Sequence, residues 1–199
     1  ESSFALSSNL KTRKQASGLA FRRYYTKGTV SPFDAIQWEL RLSQITDAQG
    51  KVIFEQQDVE TPKDWSMTAT NIVASKYLHG KPGTAERETG VRALIERVVQ
   101  TIRDWGMKME YCRTPVDAAI FHDELSHILL NQLAAFNSPV WFNVGCDRLE
   151  PDSDAQSWHW NAAAADVEHG VTGYRNPQCS ACFINSVKDS LDSILTLAK

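Results

Sequence analysis

Cys179 and Cys182, separated by Ser180-Ala181, are the residues of this chain best placed by type and spacing to do redox or metal chemistry. Zinc would need a second pair of ligands, but Cys112 and Cys146 stand alone and no histidine lies at finger spacing, so no metal site is expected. A thioredoxin-like dithiol opens a helix, whose N-terminus lowers the thiol pKa. Here Phe183-Ile184 follows instead, which reads as strand. Residues three apart on a strand lie about 10 Å apart on opposite faces, and a disulfide needs Cα atoms within about 7 Å. The two thiols would therefore not bridge without a bend. By composition Cys182, between Ala181 and Phe183, reads as a buried structural cysteine.

Other chemistry-bearing residues are less organised. His79, His122, His127, His159 and His169 form no ligand pattern, and His122 and His127 read as solvated or capping. Gly80-Lys81-Pro82-Gly83-Thr84 lacks the order of a phosphate-binding loop and reads as a helix-capping turn. Asp189, Ser190 and Asp192 open the last helical stretch. They suit N-terminal caps, or the docking of a hydroxyl-bearing ligand, and spacing does not choose between the two.

The elements that must hold these residues follow from periodicity and punctuation. Residues 1–30 form a basic arm with Lys11, Arg13, Lys14, Arg22, Arg23 and Lys27, and from residue 2 to 33 there is no acid. Such an arm is either a solvated tail or a phosphate-contacting segment. Asp34 caps a helix predicted to reach about Thr46, Asp47–Gly50 is a turn, and Lys51–Glu55 is a short strand. A helix over about Asp64–Leu78 precedes one whose Val91, Leu94, Ile95, Val98, Val99, Ile102 and Trp105 share a face and which Gly106 closes. The next opens at Thr114-Pro115-Val116-Asp117, a hydroxyl cap with proline at the first helical position, and buries Phe121, Leu125, Ile128, Leu129 and Leu133. Residues 31–136 thus read as a helical domain. After Asn137-Ser138-Pro139, Val140-Trp141-Phe142 reads as a strand, as does Cys182-Phe183-Ile184, and a helix begins at Ser190. Between them, residues 147–177 read as one long acidic loop holding Trp158 and Trp160.

Composition narrows the function classes. With 199 residues, 42% hydrophobic, 23% charged and a net charge of −3, the chain is of ordinary globular make-up with no bulk attraction to DNA or anionic membrane. It has no apolar run near the ~20 residues a spanning helix needs, no secretory signal, and too few cysteines for a disulfide scaffold. A cytoplasmic location with reduced thiols is expected. The start at Glu1 suggests an excised piece.

Two late motifs are specific. Asn137-Ser138-Pro139-Val140-Trp141-Phe142-Asn143, and Pro177-Gln178-Cys179-Ser180-Ala181-Cys182-Phe183-Ile184 followed by Asp189-Ser190-Leu191-Asp192-Ser193-Ile194, resemble the ribonucleotide reductases, in their adenosylcobalamin-dependent branch (class II). Arg23-Tyr24-Tyr25, Trp38-Glu39-Leu40-Arg41, Trp65-Ser66, Lys76-Tyr77-Leu78 and Glu86-Arg87 are similar to that branch's N-terminal region, so the resemblance spans about residues 20–199.

The resemblance implies a mainly α N-terminal domain followed, over residues 137–199, by the first strands of a ten-stranded α/β barrel, here truncated. It implies thiyl-radical reduction of the ribonucleotide 2′-hydroxyl, with adenosylcobalamin as cofactor of the full enzyme. Cys182 takes the place of one of the two reducing cysteines, paired with a cysteine other than Cys179. Ser138, Ala181 and Cys182 correspond to substrate-contacting positions, and Asp189 with Ser190 to the site of a deoxynucleotide effector at a homodimer interface. A thioredoxin-type protein would be the reductant, with no DNA or membrane partner. The radical cysteine, the partner cysteine and most of the cobalamin site are expected beyond Lys199. Glu86, Glu88 and Glu96 read as helix-surface residues that cannot substitute for the missing groups, so the segment alone should be inactive. Two other readings stay open: a non-catalytic helical interaction or nucleotide-binding module with the same framework, and a small thiol-redox or zinc protein built on Cys179 and Cys182.

Overall fold

The computed structural model describes residues 18–153, 157–170 and 172–198. Lys11, Arg13 and Lys14 of the basic arm lie outside them. The order is β1 (Trp38–Thr46), β2 (Val52–Pro62), α1 (Met67–Lys76), α2 (Val91–Lys108), α3 (Pro115–Leu130), α4 (Ser138–Asn143), β3 (Trp158–Asn161), β4 (Asp166–His169) and α5 (Leu191–Ala198). None of these helices is long and apolar enough to cross a membrane.

The first element departs from expectation. Residues predicted as a helix from Asp34 to Thr46 are instead β1, paired antiparallel with β2 from Trp38 opposite Pro62 to Thr46 opposite Val52. Leu40 and Leu42 face solvent while Arg41 between them is half-buried, so backbone pairing with β2, and not burial of the leucines, holds this segment extended. The expected Asp47–Gly50 turn sets the pairing. The Asp47 carboxylate accepts from the N–H groups of Gln49 and Lys51, each at 2.9 Å, and Gly50 adopts φ +81°. The strand expected over Lys51–Glu55 continues to Pro62. "Helical domain" is thus too narrow a description of residues 31–136.

The three long helices fall close to where periodicity predicts them. Ser66 caps α1, accepting from Ala69 N–H at 3.1 Å. Thr114 caps α3, accepting from Asp117 N–H at 3.1 Å while its hydroxyl donates to the Asp117 carboxylate at 2.6 Å. Gly106 does not close α2, which runs on to Lys108. The Gly106 carbonyl accepts from Tyr111 N–H at 2.8 Å as the chain turns back. Leu133 lies beyond α3 and is 56% exposed, against the expectation that α3 buries it.

α2 is the hub. Its Val91, Ile95 and Val99 pack with Phe33, Leu129 and Leu130; Leu94 packs with Val59, Ala74 and Leu78; Val98 packs with Val140 and Val144. Set into this apolar surface is a buried ion pair. Arg97 Nε donates to Glu88 at 2.8 Å and a second guanidinium nitrogen donates to the other Glu88 oxygen at 3.2 Å, with both side chains about 5% exposed. The remaining Arg97 donors reach the carbonyls of Val144 and Trp141, and Glu88 also accepts from His79 N–H at 2.7 Å. Glu88 is therefore not a helix-surface residue, whereas Glu86 and Glu96 are exposed. Arg87, next in the chain, caps α1 by donating to the carbonyls of Ala74, Leu78 and Gly80.

The described end of the basic arm is not a solvated tail, although Arg22 and Lys27 stay exposed. Phe21 N–H donates to Asp117 at 2.9 Å, Arg23 pairs with Asp123 at 2.7 Å, and the N–H groups of Tyr25 and Thr26 donate to Glu124, each at 2.9 Å. Residues 18–26 are thereby strapped onto an acidic face of α3. Burial by itself would raise the Glu124 pKa, but the Thr26 hydroxyl and the two N–H donors prevail and hold it at about 2.

Truncating one member of a buried pair leaves an uncompensated charge. Glu88→Ala should therefore cost about 3–5 kcal/mol in urea unfolding. Arg148→Ala, which breaks the exposed pair with Asp104, should cost under about 1 kcal/mol. Because the folded Glu124 pKa lies below its unfolded value of ~4.3, strap binding is fully stabilised above that value and fades as pH falls toward about 2. In NMR spectra of the folded chain, the Tyr25 and Thr26 amide resonances should hold steady from neutrality to roughly pH 3 and then shift with a midpoint at about 2. Glu124→Gln should abolish the shift.

Candidate functional site

Asn137-Ser138-Pro139 starts a helix. Asn137 is the extended N-cap residue, Ser138 is the first helical residue and Pro139 the second, where a missing N–H costs nothing. Val140-Trp141-Phe142 is thus the body of α4 and not a strand. Val140 and Val144, four apart, both bury against Val98 of α2. Trp141 Nε1 donates to the Phe136 carbonyl at 3.0 Å. Half-buried Ser138 lies 3.1 Å from the Tyr77 hydroxyl, and the Tyr77 ring stacks on Phe142 with centroids 5.1 Å apart.

One side-chain hydrogen bond draws the two sequence motifs together. Asn143 Nδ2, at the end of α4, donates to the Gln178 carbonyl at 2.8 Å, and Cys179 packs against the Val98–Val140–Val144 cluster. The Ser138 helix and the cysteine segment therefore share one side of α2, although they are far apart in sequence.

The cysteine segment itself differs from expectation. Cys182-Phe183-Ile184 is not a buried strand: Cys182 is an exposed thiol, Phe183 is 67% exposed and Ile184 99%. Residues 179–188 carry no regular structure and no strand pairs with them among the described residues. A strand needs a neighbour for its N–H and C=O groups, and the composition that marks Ile184 for burial has nothing here to bury against. Ala181 is exposed beside Cys182. The buried thiols are elsewhere. Cys146 is fully buried, donates to the Phe142 carbonyl at 3.2 Å, and is pushed by burial up to about 11. Burial likewise raises Cys179. All four thiols are free.

At the last helix the capping role falls to one residue of the three candidates. Ser190 Oγ accepts from Ser193 N–H at 3.3 Å, and Ser193 Oγ accepts in return from Lys188 N–H at 3.0 Å. Asp189 is exposed just outside this cap, so its carboxylate is not spent on the helix end. No residue of α5 is buried, and Leu191 is 72% exposed.

Residues 147–177 are not one structureless loop. Trp158 pairs opposite His169 and Trp160 opposite Val167 in a short hairpin, turned by Asn161, whose side-chain oxygen accepts from Ala163 and Ala164 N–H. His79, from the loop after α1, meets Glu150 at 3.2 Å and the Tyr174 ring edge-on at 5.6 Å.

A family model described as class II vitamin B12-dependent ribonucleotide reductase matches residues 39–132, from β1 to just past α3. The vitamin B12-dependent ribonucleotide reductase of Rhodopirellula baltica is 45% identical over 170 residues, covering 84% of this chain and 16% of the relative. That of Streptomyces clavuligerus is 42% identical over 192 residues, 96% of this chain and 17% of the relative. The chain belongs to the vitamin B12-dependent ribonucleotide reductases. A more distant reductase of that name, from Agrobacterium fabrum, is 29% identical over 208 residues. The chain spans about one-sixth of the length of these relatives.

Cobalamin dependence belongs to the full-length reductase, and the described residues do not fit the cofactor by themselves. The corrin ring itself holds the cobalt, so what a cobalamin site needs is a large pocket with polar partners for the ring's amides. A cavity of about 420 Å³ beside α1 and α2 is walled by Trp65, Ile72, Leu94, Phe136 and Trp141, an apolar lining ill-suited to a corrin's polar amide fringe.

Sequence reasoning missed Tyr77, Glu88 and Arg97. Tyr77 stood within the quoted Lys76-Tyr77-Leu78 segment, Glu88 was read as a surface residue, and Arg97 flanks the apolar face of α2 without standing out. Exposure and burial set an order of thiol reactivity: under brief alkylation of the native reductase segment, mass spectrometry should find Cys182 modified first and Cys146 last.

Proposed function

We propose that this chain is a portion of a ribonucleoside di- or triphosphate reductase that supplies deoxyribonucleotides for DNA synthesis, and that Cys182 is one of its two reducing cysteines. In that role Cys182 and a cysteine from outside this chain give up two electrons and two protons and close as a disulfide. The substrate 2′-hydroxyl leaves as water and a hydrogen takes its place, so atoms and electrons balance. A thiyl radical on a further cysteine outside the chain opens the substrate to this exchange by abstracting its 3′-hydrogen. A thioredoxin-type protein reopens the disulfide for the next turnover.

Two observations support this reading: Cys182 is an exposed, free thiol, and the segment that carries it is tied at Gln178 to Asn143 of the Ser138 helix. Ser138 offers a hydroxyl to ribose or phosphate oxygens, and Ala181 is small enough for the substrate to approach Cys182. We read residues 137–199 as the opening of the barrel. The unpaired backbone around Cys182 would be its first strand once the rest of the sheet lies beside it. Asp189, which the cap leaves uncommitted, suits the sugar hydroxyl of a deoxynucleotide effector. The unburied apolar residues of α5 suit packing against the same helix of a second subunit.

In the complete reductase, Cys182→Ser should abolish multiple turnover with a thioredoxin-type reductant. Full retained activity would overturn the assignment and favour a non-catalytic module of the same framework.

A further inference from the structure

Tyr77 closes α1, its N–H donating to the Val73 carbonyl at 2.9 Å, and is far in sequence from Ser138. Its ring is held on both sides of the α1–α4 contact. It lies nearly parallel to Phe142, at 18° and 5.1 Å, and forms part of the wall of the cavity bounded by Phe136 and Trp141. The phenol oxygen that results is fixed 3.1 Å from Ser138 Oγ. A phenol gives its proton to a hydrogen bond more readily than an aliphatic hydroxyl does, and a serine hydroxyl has one donor and two acceptor positions. With Tyr77 donating, Ser138 Oγ spends an acceptor position on Tyr77 and keeps its own proton for a ligand. A free serine would rotate among three staggered positions, and Tyr77 removes that freedom.

We infer that Tyr77 is a positioning residue that aims the Ser138 hydroxyl proton at a ribose or phosphate oxygen of the ribonucleotide. This rests on reading Ser138 as a substrate contact. It adds a residue from the helical part of the chain to a site otherwise built from α4 and the cysteine segment. The role requires the phenol oxygen and not merely the ring, which separates it from packing.

The test uses the complete reductase carrying Tyr77→Phe, Ser138→Ala and the two combined, with steady-state turnover of its ribonucleotide. Tyr77→Phe keeps the stacked ring and should raise KM about 3- to 10-fold, the worth of one neutral hydrogen bond, with kcat unchanged. Added to Ser138→Ala it should raise KM no further. Added to Ser138→Thr, which keeps a hydroxyl, its effect should return. A wild-type KM in Tyr77→Phe beside a raised KM in Ser138→Ala overturns the role of Tyr77 and leaves the Ser138 contact standing. The same rise from Tyr77→Phe with and without the Ser138 hydroxyl also overturns it, because the phenol would then act through another group. An unchanged KM in Ser138→Ala overturns the Ser138 contact itself, and the Tyr77 role with it.

Discussion

The buried Glu88–Arg97 pair ties together segments that no regular hydrogen-bond ladder joins. Glu88 lies in the loop between α1 and α2, Arg97 on the hub helix, and the pair's outer bonds reach His79 on one side and Trp141 and Val144 on the other. Burying two charges costs several kcal/mol each unless every donor and acceptor is matched. Here the matching fixes where α4 begins and ends relative to α2. Gly145 completes the arrangement. It adopts φ +79°, and a Cβ there would lie 2.4 Å from Thr101 Oγ1 and 2.8 Å from the Arg97 side chain, so the turn after α4 can press onto α2 only without a side chain.

That constraint carries through to the site. α4 is only six residues long and could not hold a conformation alone. Because Arg97 grips its carbonyls and Val98 receives Val140 and Val144, Ser138 is presented at a defined place beside Tyr77, and Asn143 can reach Gln178. Stability and site geometry therefore share the same residues, and the helical part of the chain acts as more than a spacer for the chemistry.

The two halves of the chain differ in how far they satisfy their own residues. Between Phe33 and Val144 three contiguous apolar clusters converge on α2, although Leu40, Ile53 and Val116 stay exposed. From Cys182 onward, Phe183, Ile184, Leu191 and Leu195 remain open to solvent. Exposed apolar residues in such a run mark a surface made to be covered.

Local signals sufficed where the physics was local. The cap at Thr114, the apolar face of α2 and the Asp47–Gly50 turn are all decided within a few residues, and the structure has them where the sequence places them. The family, too, was legible from short motifs at residues 137–143 and 177–194. Outcomes that depend on a distant partner were not legible. β1 needed β2 to form as a strand, and Val140-Trp141-Phe142, which reads as a strand, became helix once Asn137 took up the N-cap and Pro139 fell in the first turn. Cys182-Phe183-Ile184 has the composition of a buried strand, but burial and pairing require neighbours that this stretch of chain does not contain. Glu88 reads as a surface residue, and nothing in Lys76-Tyr77-Leu78 singles out its tyrosine, because their partners, Arg97 and Ser138, meet them only in three dimensions. Propensity and periodicity are properties of a segment, whereas ion pairing, hydroxyl orientation and strand burial belong to the contact between segments.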